Sequence, residues 1–442
     1  MSTDMFHLGW FLEGSSAQAW NQEYTGFIGR DWMRPDLMVD VARSLERAGF
    51  DYVLLEDTSW VPDTFGGSSE VYLRHAIATP RQDPALVAAV IAQATTRLGI
   101  VPTLGTYAYP PYQLARLVGT LDQVSAGRIG WNVVTGSSDG AARNFGRDAM
   151  PEHDERYVRA HEYLDVVNRL WGSWEQDAIL DDTTAGVFAD PAKVHTVDHT
   201  GKYFSVRGPL NSGPVPQGRP VIAQAGGSPA GKSFAAAHAD TIVSTAKGVE
   251  EMKAFRDDVR ARMVAAGRDP DDCKVLFLTS PVVGLTEDEA TQRRRARHQE
   301  GLDQAAIRMF SQLAKTTNID FSVYDLDQPL DTLDFATNGH QHMLGNFVAR
   351  AGAKPDATLR EISASLYGEG SIDFTGTHDS VAGRMCEVMQ EVGGDGFLLV
   401  SYSLSRRHIA EITEGLVPAL QRRGAVRSRY AHATFRDNLL EF

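Results

Sequence analysis

Residues 98–136 read LGIVPTLGTYAYPPYQLARLVGTLDQVSAGRIGWNVVTG. The apolar run Leu98–Leu104 predicts a strand, Pro110-Pro111 opens a helix that Gly127 ends, and Ile129–Val134 predicts a second strand. Two strands joined through a helix form a βαβ unit, in which the strands run parallel and the helix covers one face of the sheet.

The same alternation extends both ways along the chain. Upstream, the strand His7–Leu12 precedes a helix over Pro35–Ala48, where Leu37, Val41 and Leu45 recur one turn apart and Gly49 is the stop. The strand Tyr52–Glu56, a Gly/Ser-rich loop and a helix opening at Asp83-Pro84 follow. Downstream, the turn Gly136–Gly140 leads to a helix over Asp154–Trp174 with the stripe Val158, Leu164, Val167 and Trp171. Beyond an irregular stretch, 175–218, come the strand Pro220–Gln224, the helix Ser228–Ala239, the strand Thr241–Ser244, the helix Val249–Ala266, the strand Lys274–Val283 and a helix over Glu287–Leu313. A second irregular stretch, 316–370, precedes the helix Asp379–Val392, the strand Gly396–Val400 and a helix over Arg406–Arg423. Eight parallel-type strands, each eventually followed by a helix, are the number that closes a (β/α)8 TIM-type barrel. An open doubly wound sheet is the alternative. The expectation is one barrel domain over 1–442, with 175–218 and 316–370 as insertions after strands four and seven, both covering the C-terminal face.

Composition narrows the function. The 442 residues are 43% hydrophobic and 23% charged, with 43 Lys plus Arg against 57 Asp plus Glu, a formal charge of −14. That balance opposes nucleic-acid binding, which depends on cations that neutralise phosphates. The basic run Arg293, Arg294, Arg295 and Arg297 has Glu287, Asp288 and Glu289 before it and Glu300 after it, and reads as a solvated helix face. Cys273 and Cys386 have neither CxxC spacing nor clustered histidines, so no disulfide framework or zinc site is expected and a reducing compartment fits. Apolar stretches such as Ala85–Ala94 fall far short of the roughly 20 residues that span a bilayer. No basic segment precedes the first apolar run, as a signal peptide would require. These features predict a cytoplasmic protein with no membrane partner.

Residues 226–233, GGSPAGKS, match the phosphate-loop pattern G-x-x-x-x-G-K-[ST] after a strand and at a helix start. Glycines let the backbone approach an anion, and free N–H groups at a helix start favour negative charge. A nucleotide hydrolase is one reading, although the only acidic strand of the required kind, YVLLED at Tyr52–Asp57, lies far upstream. A helix start with small residues for close packing is another. No G-x-G-x-x-G follows the first strand, so a Rossmann nicotinamide site is not expected. At the strand ends stand Asp57, Thr103, Asn132 and Thr135, groups suited to hydrogen-bonding the heteroatoms of a cofactor or to local capping. His75 and His340-Gln341-His342 lack carboxylate or cysteine partners at metal spacing, and no metal site is expected. Ser137-Ser138 lacks a nucleophile elbow, and H-E-x-x-H is absent.

With these segments in view, the chain resembles the bacterial-luciferase-like flavin monooxygenases, in the branch of nitrilotriacetate monooxygenase component A and dibenzothiophene-sulfone monooxygenase. The shared stretches are Tyr109–Gly136, NFG at Asn144–Gly146, EHDERY at Glu152–Tyr157, GVFADPAKVH at Gly186–His195, Arg207–Gly231 and GDGFLLVS at Gly394–Ser401. The resemblance implies a two-component enzyme in which reduced FMN, delivered by a separate NAD(P)H:flavin reductase, reacts with O2 and oxygenates a small organic substrate. It also implies an assembly of identical subunits. Carried over by position, Gln224, Ala225, Gly226, Gly227 and Ser228 would hold the FMN phosphate with Tyr157, and Asp57 would lie along the isoalloxazine edge. Thr103 and Asn132 would be the catalytic pair near flavin N5 and C4a, where oxygen is held. Relatives commonly have Ser where this chain has Gly136, so Ser137 is the candidate replacement for that contact. A flavin-binding protein without catalysis is the rival class. For the substrate, Trp10, Phe11, Trp60 and Phe65 suggest an aromatic or apolar pocket, tilting toward a ring or sulfur compound, and Arg74, His75 and Arg81 could serve a carboxylate. A core role for each aromatic stays open.

Overall fold

Eight strands, β1 (His7–Leu12), β2 (Tyr52–Leu55), β3 (Gly99–Gly105), β4 (Gly130–Val134), β5 (Val221–Gln224), β6 (Thr241–Ser244), β7 (Lys274–Thr279) and β8 (Gly396–Val400), pair in parallel around a closed barrel. The seam joins β8 to β1 in the register His7↔Gly396 through Phe11↔Val400, which excludes the open sheet. The structure is a computed structural model that describes residues 5–12, 34–300, 306–329, 337–353, 356–366, 370–400 and 404–442.

Alternation of side chains along each strand sorts the core into two shells. Tyr52, Leu54, Val101, Val221, Ala223, Val243, Leu276 and Leu398 fill the barrel, with Phe435 and Leu439 from a short C-terminal helix closing its foot. Gly99 makes room for that plug, because a Cβ there would lie 2.5 Å from the Phe435 ring. The outward side chains, among them Leu8, Trp10, Val53, Ile100, Trp131 and Phe277, pack under the helices. These helices are α1 (Asp36–Ala48), α2 (Pro84–Ala94), α3 (Pro111–Val124), α4 (His153–Trp171), α5 (Pro229–His238), α6 (Gly248–Ala265), α7 (His378–Val392) and α8, built from the continuous runs Arg406–Ala410, Glu411–Leu416 and Val417–Arg422.

Two expectations about the irregular stretches change. The segment 175–218 joins α4 to β5, so it is a helix-to-strand connection and starts from the foot of the barrel. It lies along the outside of α3 and α4: Gln123 donates to the Pro214 carbonyl at 3.0 Å, Trp174 to the Leu210 carbonyl at 2.6 Å, and Glu162 accepts from the amides of Tyr203 and Phe204. The second excursion is longer than 316–370. The strand expected over Lys274–Val283 ends at Thr279, and Val282–Gly284 pairs instead with Thr375–Thr377 in a two-stranded parallel sheet. That sheet forms a neck, and the residues between its strands leave the barrel on the C-terminal side and return to α7. Within this excursion Phe310, Leu313, Phe321, Leu344, Phe347, Leu359 and Ile362 make a separate small core. The helix expected over Glu287–Leu313 includes 301–305, which lie outside the described residues; Glu287–Glu300 and Ala306–Thr317 are helical on either side.

Asp51, at the entrance to β2, is buried and accepts from the Leu8 amide at 2.8 Å, from His7 Nδ1 at 3.0 Å and from the Arg427 guanidinium at 2.8 Å. Burial pushes its carboxyl up, but His7 and Arg427 outweigh it and hold the group below the usual range. Asp51→Asn leaves buried Arg427 only the part-exposed Glu441, 3.0 Å away, as counter-charge at the foot of the barrel, and should destabilise the protein by up to about 3–5 kcal/mol in urea unfolding. A second buried pair links α4 to α5, where His161 Nδ1 lies 2.8 Å from His238 Nε2. Burial, then His161, Arg268 and Arg219, lower the His238 pKa to about 4. The unfolded chain therefore takes up a proton that the folded one refuses, so this contribution is intact above pH 6.5 and fades as pH falls toward 4. In thermal melts across that window, His238→Gln should flatten the acid-side slope, by up to about 1.4 kcal/mol per pH unit; an unchanged slope would rule the pair out as its source.

Candidate active site

At the C-terminal mouth the loops after β2, β3, β4 and β5 and the excursion after β7 enclose a cleft of about 1060 Å³ including its open entrance. No residue of 175–218 lines it, whereas Lys315, Thr316, Gly339, His340 and Gln341 of the excursion do.

One end of the cleft is the start of a helix. β5 ends at Gln224, and Ala225–Gly227 turn the chain into α5, whose start is capped by Ser228 accepting from the Gly231 amide at 3.1 Å. Pro229 occupies the first helical position, where a missing N–H leaves no bond unmade. A Cβ on Gly226 would lie 2.9 Å from the Gly231 Cα, so the two glycines let the loop fold against the first turn. The amide of Gly226 is already taken by Gln224 Oε1 at 2.6 Å, which leaves the helix start, Gly227 and Ser228 facing the cleft. Tyr157 on α4 brings its hydroxyl against Ser228, Gln224 and Thr135; burial raises its pKa, so it is a phenol that donates. Lys232, the residue that a nucleotide hydrolase would aim at a phosphate, is turned away. It pairs with Asp258 on α6, lies 5.5 Å from the Phe255 ring, and does not line the cleft. The hydrolase reading therefore loses its cation.

The other end gathers the strand-end groups. β3 and β4 pair in the register Thr103↔Asn132, and both side chains point into the barrel one layer above Val101. Asn132 Nδ2 donates to Thr103 Oγ1 at 2.8 Å, and Thr103 lines the cleft with Asn132 directly behind it. Asn132 Oδ1 is buried with no hydrogen-bond partner. An orphaned buried acceptor costs about 1–3 kcal/mol. Asp57 lies on the wall beside them; burial raises its pKa against the pull of Arg81. Gly136 has φ +85°, and a Cβ there would meet Met150 at 2.4 Å and Tyr107 at 2.8 Å. A serine at 136 would be strained in this backbone and would have to displace Met150 and Tyr107, while Ser137 lines the cleft.

The substrate candidates separate. Trp60 lines the cleft and lies over Gly140, which has no side chain to hold it off. Trp10 points outward, buried beneath the helices with its ring 5.9 Å from Phe50, and is a core residue. Phe11 faces the barrel interior, packed on the cluster around Tyr52. Phe65 packs on the excursion's own core, and His75 caps the short helix Glu70–Arg74; neither lines the cleft. Arg81 is committed to Glu56. Among the described residues no group of three His, Cys, Asp or Glu could hold a metal ion; the side chain of His342 lies outside them.

Residues not picked out beforehand complete the walls. Lys315 donates to Thr58 Oγ1 at 3.2 Å and lies 3.6 Å from Glu56. Arg156 and His153 stand beside Tyr157. Only EHDERY carried a signal for the last two, and Lys315 reaches the cleft through tertiary contacts with a loop far away in the chain.

The groups that line the cleft fit a flavin mononucleotide: a helix start and a phenol suit its phosphate, and the Thr103 hydroxyl and the Asp57 carboxyl suit the heteroatoms of its ring. Comparison with known proteins agrees. The model of the luciferase-like monooxygenase family matches residues 6–396. Dibenzothiophene-sulfone monooxygenase of Rhodococcus erythropolis is 37% identical over 440 residues, 98% of this chain and 95% of that protein. Nitrilotriacetate monooxygenase component A of Aminobacter aminovorans is 34% identical over 407 residues, 90% of this chain and 88% of that protein. A solved riboflavin lyase with modified FMN and riboflavin superposes with a TM-score of 0.86 at 31% identity, over 99% of this chain and 96% of that one. No helix among the described residues is long and apolar enough to cross a membrane. The chain, a flavin-dependent oxidoreductase by its relatives and its fold, belongs to the luciferase-like monooxygenase family.

Proposed function

We propose that this protein is the oxygenating component of a two-component system, which takes FMN reduced by a separate NAD(P)H:flavin reductase, consumes O2 and oxygenates a small organic substrate. The observation that carries the reading is the Thr103–Asn132 pair, held at the barrel mouth with an acceptor that nothing in the protein satisfies. Reduced flavin supplies two electrons, so that one oxygen atom enters the substrate and the other leaves as water.

The chain's own groups bind and position. The start of α5, Ser228 and Tyr157 hold the phosphate; helix-terminal N–H groups suit it without a net basic surface. Asp57, on the cleft wall, would lie beside the flavin ring. Asn132 orients Thr103, whose hydroxyl accepts from it and keeps its own proton for an acceptor at the reacting centre. The excursion roofs the cleft and keeps water out, which matters because water entering such a site diverts reduced oxygen to hydrogen peroxide. The relatives are named for a sulfone and an aminopolycarboxylate. Trp60 and Tyr107 beside Lys315, His340 and Gln341 make a wall with both aromatic and polar character, and we infer a small sulfur or nitrogen compound as substrate. A cytoplasmic location suits an enzyme whose two cysteines are both free and buried.

The test begins by adding reduced FMN without oxygen, then admitting air in the presence of a panel of sulfides, sulfones and amino-carboxylates. Flavin binding with an oxygenated product supports the reading; ATP hydrolysis without flavin binding overturns it, and flavin binding with no product favours the non-catalytic class. In Asn132→Ala, product formed per NADH should fall and peroxide rise, while FMN affinity changes less than tenfold, or about 1.4 kcal/mol; an unchanged yield would remove Asn132 from the assignment. Lys232→Ala should leave the FMN dissociation constant within about twofold, because Lys232 faces Asp258 instead of the cleft. A tenfold weakening would restore the phosphate-loop reading.

A further inference from the structure

Arg156 is the second residue of α4's inner face to reach the cleft, immediately before Tyr157, and only 4% of it is exposed. Its guanidinium is gripped by carbonyls. Nη1 donates to the Pro151 carbonyl at 3.0 Å and Nη2 to the Asn338 carbonyl at 2.9 Å, with Asn338 Oδ1 at 3.5 Å from Nη1. Nε is buried and has no partner. Among the described residues no carboxylate is ion-paired with it. The acidic groups that act on it from a distance are Asp139, Glu152 and Asp154; Asp139 accepts from the Met150 amide and Asp154 from His153. Burial lowers the Arg156 pKa, though a guanidinium stays charged.

A buried cation with one N–H unmade and no counter-ion is strongly disfavoured unless the site's occupant supplies the anion. The position fixes which anion that is. Arg156 shares the cleft wall with Tyr157, Gly227 and Ser228, the groups assigned to the phosphate. The same guanidinium also holds Asn338, and Asn338 Nδ2 returns a bond to the Pro151 carbonyl at 3.2 Å. Asn338 leads directly into Gly339, His340 and the helix Gln341–Ala353, whose first residue also lines the cleft. The chain thus runs from the phosphate end, through one side chain, to the part of the excursion that forms the roof.

We propose that Arg156 reads the phosphate of the bound flavin mononucleotide and, through its grip on Asn338, seats the excursion over the cleft when that phosphate is present. The assignment rests on the FMN reading above and makes Arg156 a positioning residue that selects FMN over riboflavin. Uncharged riboflavin would fill the ring site and leave Arg156 without its counter-ion.

The experiment compares wild type, Arg156→Gln and Arg156→Lys by flavin fluorescence titration with FMN and with riboflavin. It adds hydrogen–deuterium exchange of peptides spanning 337–353 with FMN, riboflavin or inorganic phosphate. In wild type FMN should bind at least tenfold tighter than riboflavin and protect 337–353, with weaker protection by phosphate alone and none by riboflavin. Arg156→Gln should weaken FMN at least tenfold, leave riboflavin within twofold and abolish the protection by phosphate; Arg156→Lys should recover part of the FMN preference. Equal losses for both flavins in Arg156→Gln, or equal protection by FMN and riboflavin in wild type, would overturn the proposal and leave Arg156 a structural brace. If wild type binds neither flavin, it is the FMN reading itself that fails.

Discussion

The barrel depends on one buried carboxylate at its foot. Asp51 holds the first strand through Leu8 and His7, stands at the entrance to the second, and neutralises Arg427 from the C-terminal segment. Charges so deeply buried favour folding only when every partner is in place. Once they are, the seam beside them can close: Gly396 has φ +155°, and a Cβ there would lie 2.2 Å from the His7 carbonyl oxygen. Closure with all strands parallel then fixes where chemistry can occur. Every strand-to-helix loop opens on one end of the barrel and every return loop on the other. The foot carries the ionic lock and the Phe435 plug, and the mouth is free to carry groups that weaken the fold, such as the orphaned Asn132 oxygen.

That division explains what the sequence could and could not say. Strand and helix positions were legible, because each βα unit repeats a short apolar run, a turn and a helical stripe. Inner and outer faces were not, since parallel strands buried on both sides show no alternation of apolar with polar residues. Trp10 and Phe11 look alike in the string, yet one packs under the helices and the other inside the barrel. The length of the second excursion was hidden because its neck is a pairing of two three-residue strands far apart in the chain. The placing of 175–218 could have been found: it follows a helix, and a connection that follows a helix starts at the foot.

The anion site shows the same division on a smaller scale. GGSPAGKS is a helix start, capped by Ser228 and packed closely at Gly226 and Gly231, as the small residues and the serine suggested. The lysine was ambiguous. Four residues after the cap, Ser228, it lies on the flank of α5, where Asp258 on the next helix competes for it and wins. A pattern match carries no information about that competitor. Lys315 is the converse case, a cation with no motif around it that would announce a site, brought to the cleft by tertiary packing.

The formal charge of −14 and the proposed binding of a phosphate are compatible for a reason visible in the cleft. Net charge acts through a long, screened field, whereas a phosphate held at a helix start meets oriented N–H groups at contact distance. Surface pairs such as Arg74–Glu70 and Arg360–Asp327 hold cations beside carboxylates in water, where each pair is worth little. Arg156 is different because it is buried, has no carboxylate partner among the described residues, lines the cleft and holds Asn338 of the excursion. One unpaired charge in that position has more influence on what the cleft accepts than the whole surface excess of acid.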